Sequence, residues 1–157
     1  MRRFYMLFAV CMAVVFASAC SSDSSKTTPP SSTAAITKAS YLAKANAICT
    51  TMNNRVKALG DPGQDPKKLA AVIDSSTVII RQTLVRLRAL PVPTGEAPKL
   101  DAVYATVDKV LGDAPAYSAA LRAGNAPAVN IAGRKLQAEQ NRANAASIKY
   151  GLTVCGS

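Results

Sequence analysis

Between residues 38 and 150 the sequence repeats its apolar side chains at steps of three or four, and glycine and proline break the repeat three times. That pattern predicts helices and leaves no credible strand. The first stretch, from Lys38, carries Tyr41, Ala45, Ile48, Met52, Val56 and Leu59 and ends at Gly60-Asp61-Pro62-Gly63. A second opens with Asp65 as N-cap and Pro66 at the first helical position, sets Leu69, Ile73, Ser76, Ile80, Leu84, Leu87 and Leu90 along one face, and stops at Leu90-Pro91-Val92-Pro93. The third begins between Thr94 and Pro98 and has the most regular stripe: Leu100, Val103, Tyr104, Val107, Val110, Leu111, Ala114, Tyr117 and Leu121. Pro115 inside it predicts a kink or a break into two shorter helices. The fourth takes Asn125 as N-cap and Pro127 in its first turn, runs through Leu136 and Ala143 to Tyr150, and meets a left-handed stop at Gly151.

Four helices joined by short turns favour antiparallel neighbours. The expected fold is therefore an all-α, up-down-up-down four-helix bundle over residues 38–157. The end of the fourth helix then returns to the start of the first, which lets a tail carrying Cys155 fold back towards Cys49 on the inner edge of helix one.

The N-terminus reads differently. Arg2 and Arg3 precede the apolar run Phe4 to Phe16, which has the charge and length profile of a secretory signal. The run falls short of the roughly 20 apolar residues that cross a bilayer. It leads into Ala17, Ser18 and Ala19, which fit either an ordinary A-x-A cleavage site or a lipobox whose Cys20 is lipidated and becomes the new N-terminus. Spacing alone does not choose between the two.

Cysteine arithmetic bears on the choice. Cys11 leaves with a signal of residues 1–19, so the mature chain keeps Cys20, Cys49 and Cys155. An exported protein pairs its thiols as a rule, and lipidation of Cys20 leaves Cys49 and Cys155 as a pair. In the chain-entropy model, closing that loop removes on the order of 4–5 kcal/mol of unfolded-state entropy, which assigns the bridge a structural role. Residues 20–37, rich in Ser, Thr and Pro, read as a flexible linker after the lipidated cysteine, with ends roughly 20–25 Å apart. Cleavage removes two of the 19 basic residues and none of the 9 acidic ones, so the net charge falls from +10 to +8. It also removes every phenylalanine, leaving Tyr41, Tyr104, Tyr117 and Tyr150 as the aromatic residues of a core otherwise built from Ala, Val, Leu and Ile.

Three segments carry a resemblance. Tyr41-Leu-Ala-Lys-Ala-Asn-Ala-Ile-Cys49, Leu90-Pro91-Val92-Pro93 and the terminal Gly151-Leu-Thr-Val-Cys155-Gly156 resemble a group of small actinobacterial secreted proteins and lipoproteins. The likeness covers most of the mature domain and implies a helical fold with a Cys49–Cys155 bridge. It implies no reaction.

The chain has no histidine, which excludes Ser-His-Asp and Cys-His nucleophile systems, histidine-bearing zinc sites and histidine-ligated haem. Paired cysteines neither attack nor ligate. No catalytic residue, metal site or cofactor is assigned. Asp101 and Asp108 sit seven apart on the third helix, roughly 10 Å along its axis, and read as solvated charges rather than an acid–base pair. Glu139, Gln140, Asn141 and Asn144 interrupt the apolar pattern of the fourth helix. They either widen its solvated face or line a small-molecule pocket between helices.

Basic residues are spread over every helix, and Lys67, Lys68, Arg81, Arg86 and Arg88 on the second are the candidate patch for anionic headgroups or cell-wall polyanions. Nucleic acid is a poor partner for an exported domain whose tyrosines fall at core spacing. The expectation is an exported, lipid-anchored envelope protein that is non-catalytic. It would meet the membrane through Cys20 and bind another envelope protein or an anionic component. Carriage of a small apolar ligand between the helices is the alternative, and a carboxylate enzyme the weakest reading.

Overall fold

A computed structural model describes residues 36–157 as four α-helices: α1 (Lys38–Lys57), α2 (Pro66–Arg88), α3 (Ala97–Ala123) and α4 (Ala126–Tyr150), with no strand among the described residues. The signal, Cys20 and nearly all of the linker expected from the sequence lie outside this range. None of the described helices is long and apolar enough to cross a membrane.

Each helix start follows from a local interaction. The Thr37 hydroxyl accepts from the Ser40 N–H, Asp65 accepts from the Lys67 and Lys68 N–H groups, and Asn125 accepts from the Ala128 N–H. These contacts satisfy first-turn amides that have no intrahelical partner. At α3 the N-cap is Glu96, whose side chain makes no capping bond because it is turned to Lys38 and Lys99. Gly151 ends α4 at φ +111°, and there a Cβ would come within 2.9 Å of the Leu42 side chain. Glycine is needed both for its backbone and for its lack of bulk. Pro115 does not divide α3, which runs on to Ala123. The proline ring is solvent-exposed, so the helix can carry it without disturbing the packed face.

Helices adjacent in sequence pack against each other, α1 on α2, α2 on α3 and α3 on α4, while the backbones of α1 and α4 stay apart. The α2–α3 contact is close because it is made from small groups: Ala70 and Ser118 are both fully buried, and Ser118 Oγ donates to the Ala70 carbonyl at 3.3 Å. At the α3–α4 contact the Tyr117 ring lies over Gly133. The core has two parts. One gathers Tyr41, Ala45, Cys49, Leu84, Leu87, Leu100, Tyr104, Tyr150 and Leu152, and the other gathers Val110, Ala114, Leu136 and Ala143.

The seam between α1 and α4 is closed at one end by the C-terminal tail. After Gly151 the chain turns back and buries Leu152. It then exchanges bonds with α1: Asn53 donates to the Val154 carbonyl at 3.0 Å, and the Val154 N–H donates to Asn46 Oδ1 at 3.3 Å. Cys155 is bonded to Cys49, 106 residues earlier, with their Cα atoms 5.1 Å apart. The expected disulfide is therefore present, on a tail that lies along helix one.

Candidate functional site

Beyond the tail the α1–α4 seam is open, and it forms a groove of about 640 Å³ reaching into the bundle. Its floor is apolar: Ile80, Leu84 and Leu87 from α2 with Val103, Val107 and Val110 from α3. Met52 and Val56 form the α1 wall and remain half-buried, although they continue the apolar stripe that begins at Tyr41. The reason is geometric. The α1 and α4 backbones stay apart here, and the α4 side of the groove is lined by the polar Gln137, Gln140 and Asn144 with the small Ala143 and Ser147. Leu152 and the Cys49–Cys155 bridge close the inner end, where the Tyr104 ring also reaches the floor. Lys57 stands on the rim and is the sole charged side chain among the lining residues. The volume falls in the range of small-molecule sites, and the combination of apolar floor and few polar rim groups is typical of them.

Next to the inner end lies a buried tyrosine cluster. The hydroxyls of Tyr41 and Tyr104 are hydrogen-bonded to each other, and Tyr150 packs edge-on against Tyr41 with ring centroids 6.3 Å apart. Burial raises the pKa of all three, with Tyr150 pushed up to about 12. Cations cover the cluster: Lys38 Nζ lies 4.4 Å from the Tyr150 ring centre and the Arg88 guanidinium 5.5 Å from that of Tyr104. Glu96, bonded to Lys99 at 2.7 Å and to Lys38 at 3.2 Å, is held well below the usual carboxylate range, at about 2, by those two ammonium groups.

Of the candidate basic residues, Arg81 and Arg88 come together around a shallow depression floored by Leu84 and Leu111, beside the exposed Val85. Arg88 is bound to Asp108 at 2.6 Å. Lys67 and Lys68 lie at the opposite end of α2, roughly 20 Å or more along its axis from Arg81. Arg86 is exposed and does not line the depression. Arg81 and Arg88 thus come together, Lys67 and Lys68 lie apart from them at the start of α2, and Arg86 joins neither pair. Asp101 is exposed and Asp108 is engaged by Arg88. No cluster of three or more potential metal ligands occurs among the described residues.

Helix four divides its polar residues between two surroundings. Gln137, Gln140 and Asn144 line the groove, whereas Glu139 is buried, with one carboxylate oxygen on Arg142 and the other without a hydrogen-bond partner. Sequence reasoning singled out Glu139, Gln140, Asn141 and Asn144, of which Asn141 is exposed and lines no part of the groove, and passed over Gln137, Lys57, Asn53 and the tail as parts of the same site. The signal for them was the apolar pair Met52 and Val56 set among polar neighbours near the end of α1. No family model, curated protein or solved structure matches this chain.

Proposed function

We propose that this chain is an exported, lipid-anchored envelope protein whose helical domain is a non-catalytic binding module, and that its binding site is the groove between α1 and α4. The observation that carries the proposal is the groove itself: an apolar floor inside a four-helix domain, left uncovered on the side where α4 offers amides instead of aliphatic side chains. Leaving Met52, Val56 and Val107 half-buried forgoes roughly 25 cal/mol for each Å² of apolar surface that stays wet, a loss that an apolar or amphipathic ligand would recover. This favours small-ligand carriage over docking of an envelope protein as the primary activity. Exposed Val78 and Val85 beside Arg81 favour a second contact, with an anionic envelope surface, along α2.

Export and anchoring rest on the sequence: the basic and apolar first nineteen residues, Cys20 following Ala17-Ser18-Ala19, and the Ser/Thr/Pro-rich linker before the bundle. The Cys49–Cys155 disulfide supports an oxidising location and leaves Cys20 as the odd cysteine of the mature chain. An up-down-up-down course for the helices is supported by Arg88 meeting Asp108 while Asp74 meets Arg122, by Lys135 meeting Asp113, and by Tyr41 meeting Tyr150. The resemblance to small actinobacterial lipoproteins agrees with this assignment.

Gln140→Trp tests the site, since residue 140 is exposed on the rim and a large ring there fills the groove without entering the core. An environment-sensitive apolar dye should bind the wild type, and the variant should lose most of that binding at unchanged melting temperature. Equal binding by both proteins would remove the groove from consideration. For the anchor, Cys20→Ala should release the protein into the medium, and continued membrane retention would sink it.

A further inference from the structure

The groove is also selective in charge. We infer that it takes a single-chain amphiphile with an anionic head group, the chain lying along the apolar floor and the head beside Lys57; this rests on the reading of the groove as the ligand site.

The distribution of polar groups along the groove gives it two unlike ends. At the inner end are the disulfide, Leu152 and Tyr104, with Ser157 of the tail nearby and no charged side chain. At the outer end Lys57, the last residue of α1, lies on the same rim as Gln137 and Gln140 of α4. No acidic side chain lines the groove, and Lys57 makes no salt bridge among the described residues. Beside Lys57 a cationic head would find no carboxylate within salt-bridge reach among the described residues, whereas an anionic one would meet an ammonium with amide N–H groups close by. The negative end of the α1 dipole is muted at this point, because Ala58, Leu59 and Gly60 donate to the carbonyls of Asn54, Val56 and Lys57.

Size narrows the class further. From Cys49 to Lys57 the α1 wall rises about 12 Å, enough for one chain of medium length. A volume of about 640 Å³ suits a single chain and is too small to enclose a two-chain membrane lipid with its head group. The ligand is therefore a free amphiphile rather than a bilayer phospholipid. The chain's own linker is a poor occupant, since residues 21–33 contain only Ser, Thr, Pro, Asp and Lys and bring no aliphatic side chain to an apolar floor.

The test is calorimetric titration of the intact exported protein, below micelle-forming concentrations, with dodecanoate, dodecanol and dodecylammonium, which share one chain and differ in head-group charge. Dodecanoate should bind about tenfold more tightly than dodecanol, with dodecylammonium weakest; Lys57→Gln should bring dodecanoate to the level of dodecanol while leaving dodecanol unchanged, and Lys57→Glu should reverse the order. Residue 57 is exposed, so neither variant disturbs the core. Equal binding of all three, abolished by Gln140→Trp, would overturn the anionic head group and leave the groove reading standing. No binding of any chain would overturn both. Self-association of the wild type that disappears in Gln140→Trp would make a second copy the occupant and overturn the inference.

Discussion

Tyr41 is fully buried, and its hydroxyl has the Tyr104 hydroxyl as partner. Removing one member of such a pair costs more than the hydrogen bond, because the other is left buried and unpaired. Tyr104→Phe should therefore lower stability by about 1–3 kcal/mol in denaturant unfolding. The same variant lines the groove floor with an unchanged ring, so chain binding should survive it. Glu96 predicts a pH effect. Its pKa is depressed from an ordinary 4.5 to about 2 by Lys99 and Lys38, so its contribution to stability is complete above about 4.5 and is lost as the pH falls towards 2. The melting temperature should drop across that window, and Glu96→Gln should flatten the part of the drop that comes from this group. The tyrosines act at the other extreme: their raised pKa values stabilise the native state below pH 10, and this is lost as the pH rises through their folded-state values, about 12 for Tyr150.

At the scale of the helix, capping makes the clearest prediction. Asp65→Ala and Asn125→Ala each remove a side-chain acceptor from first-turn amides and should each cost about 1 kcal/mol, measured by the shift in urea midpoint. These caps were legible in the sequence because Asp65-Pro66 and Asn125-Ala126-Pro127 place a short polar residue just ahead of a proline in the first turn, a purely local signal. The α3 stripe was equally legible, since most of its members, from Leu100 to Leu121, are buried as the period requires. Helices one and two were read less well at their inward faces. Ala70, Ile79 and Thr83 are buried in α2, whereas Leu69 and Ile73 of the expected stripe are only half-buried. Apolarity marked the larger side chains, but close helix contact at Ala70 and Ser118 selects for smallness, which periodicity does not weigh. The groove was half legible. Gln140 and Asn144 of its polar wall stood out in α4 and Gln137 did not, and whether such residues face solvent or a cleft depends on how far α1 stands from α4, which the period of a single helix does not encode.

For the whole molecule the dominant element is the covalent loop from Cys49 to Cys155. Cys155→Ser should lower stability by about 4–5 kcal/mol on the chain-entropy model, read as a large fall in urea midpoint. Because the bridge and Leu152 also form the inner wall of the groove, reduction should weaken chain binding at denaturant concentrations where the helices persist. Were the protein held to a surface through Cys20, as proposed, it would also be pulled from that end, and the loop would decide where the pull stops. Tension entering at Thr37 runs along the first eleven or so residues of α1 and reaches Cys49, where it is shared with the far end of the chain. The remainder of α1 together with α2, α3 and α4 lies inside the covalent ring and cannot be drawn out in line while the bond is intact. The bridge thus works as a mechanical stop, confining extension under load to the segment between the linker and Cys49 and leaving the groove beyond it unstretched.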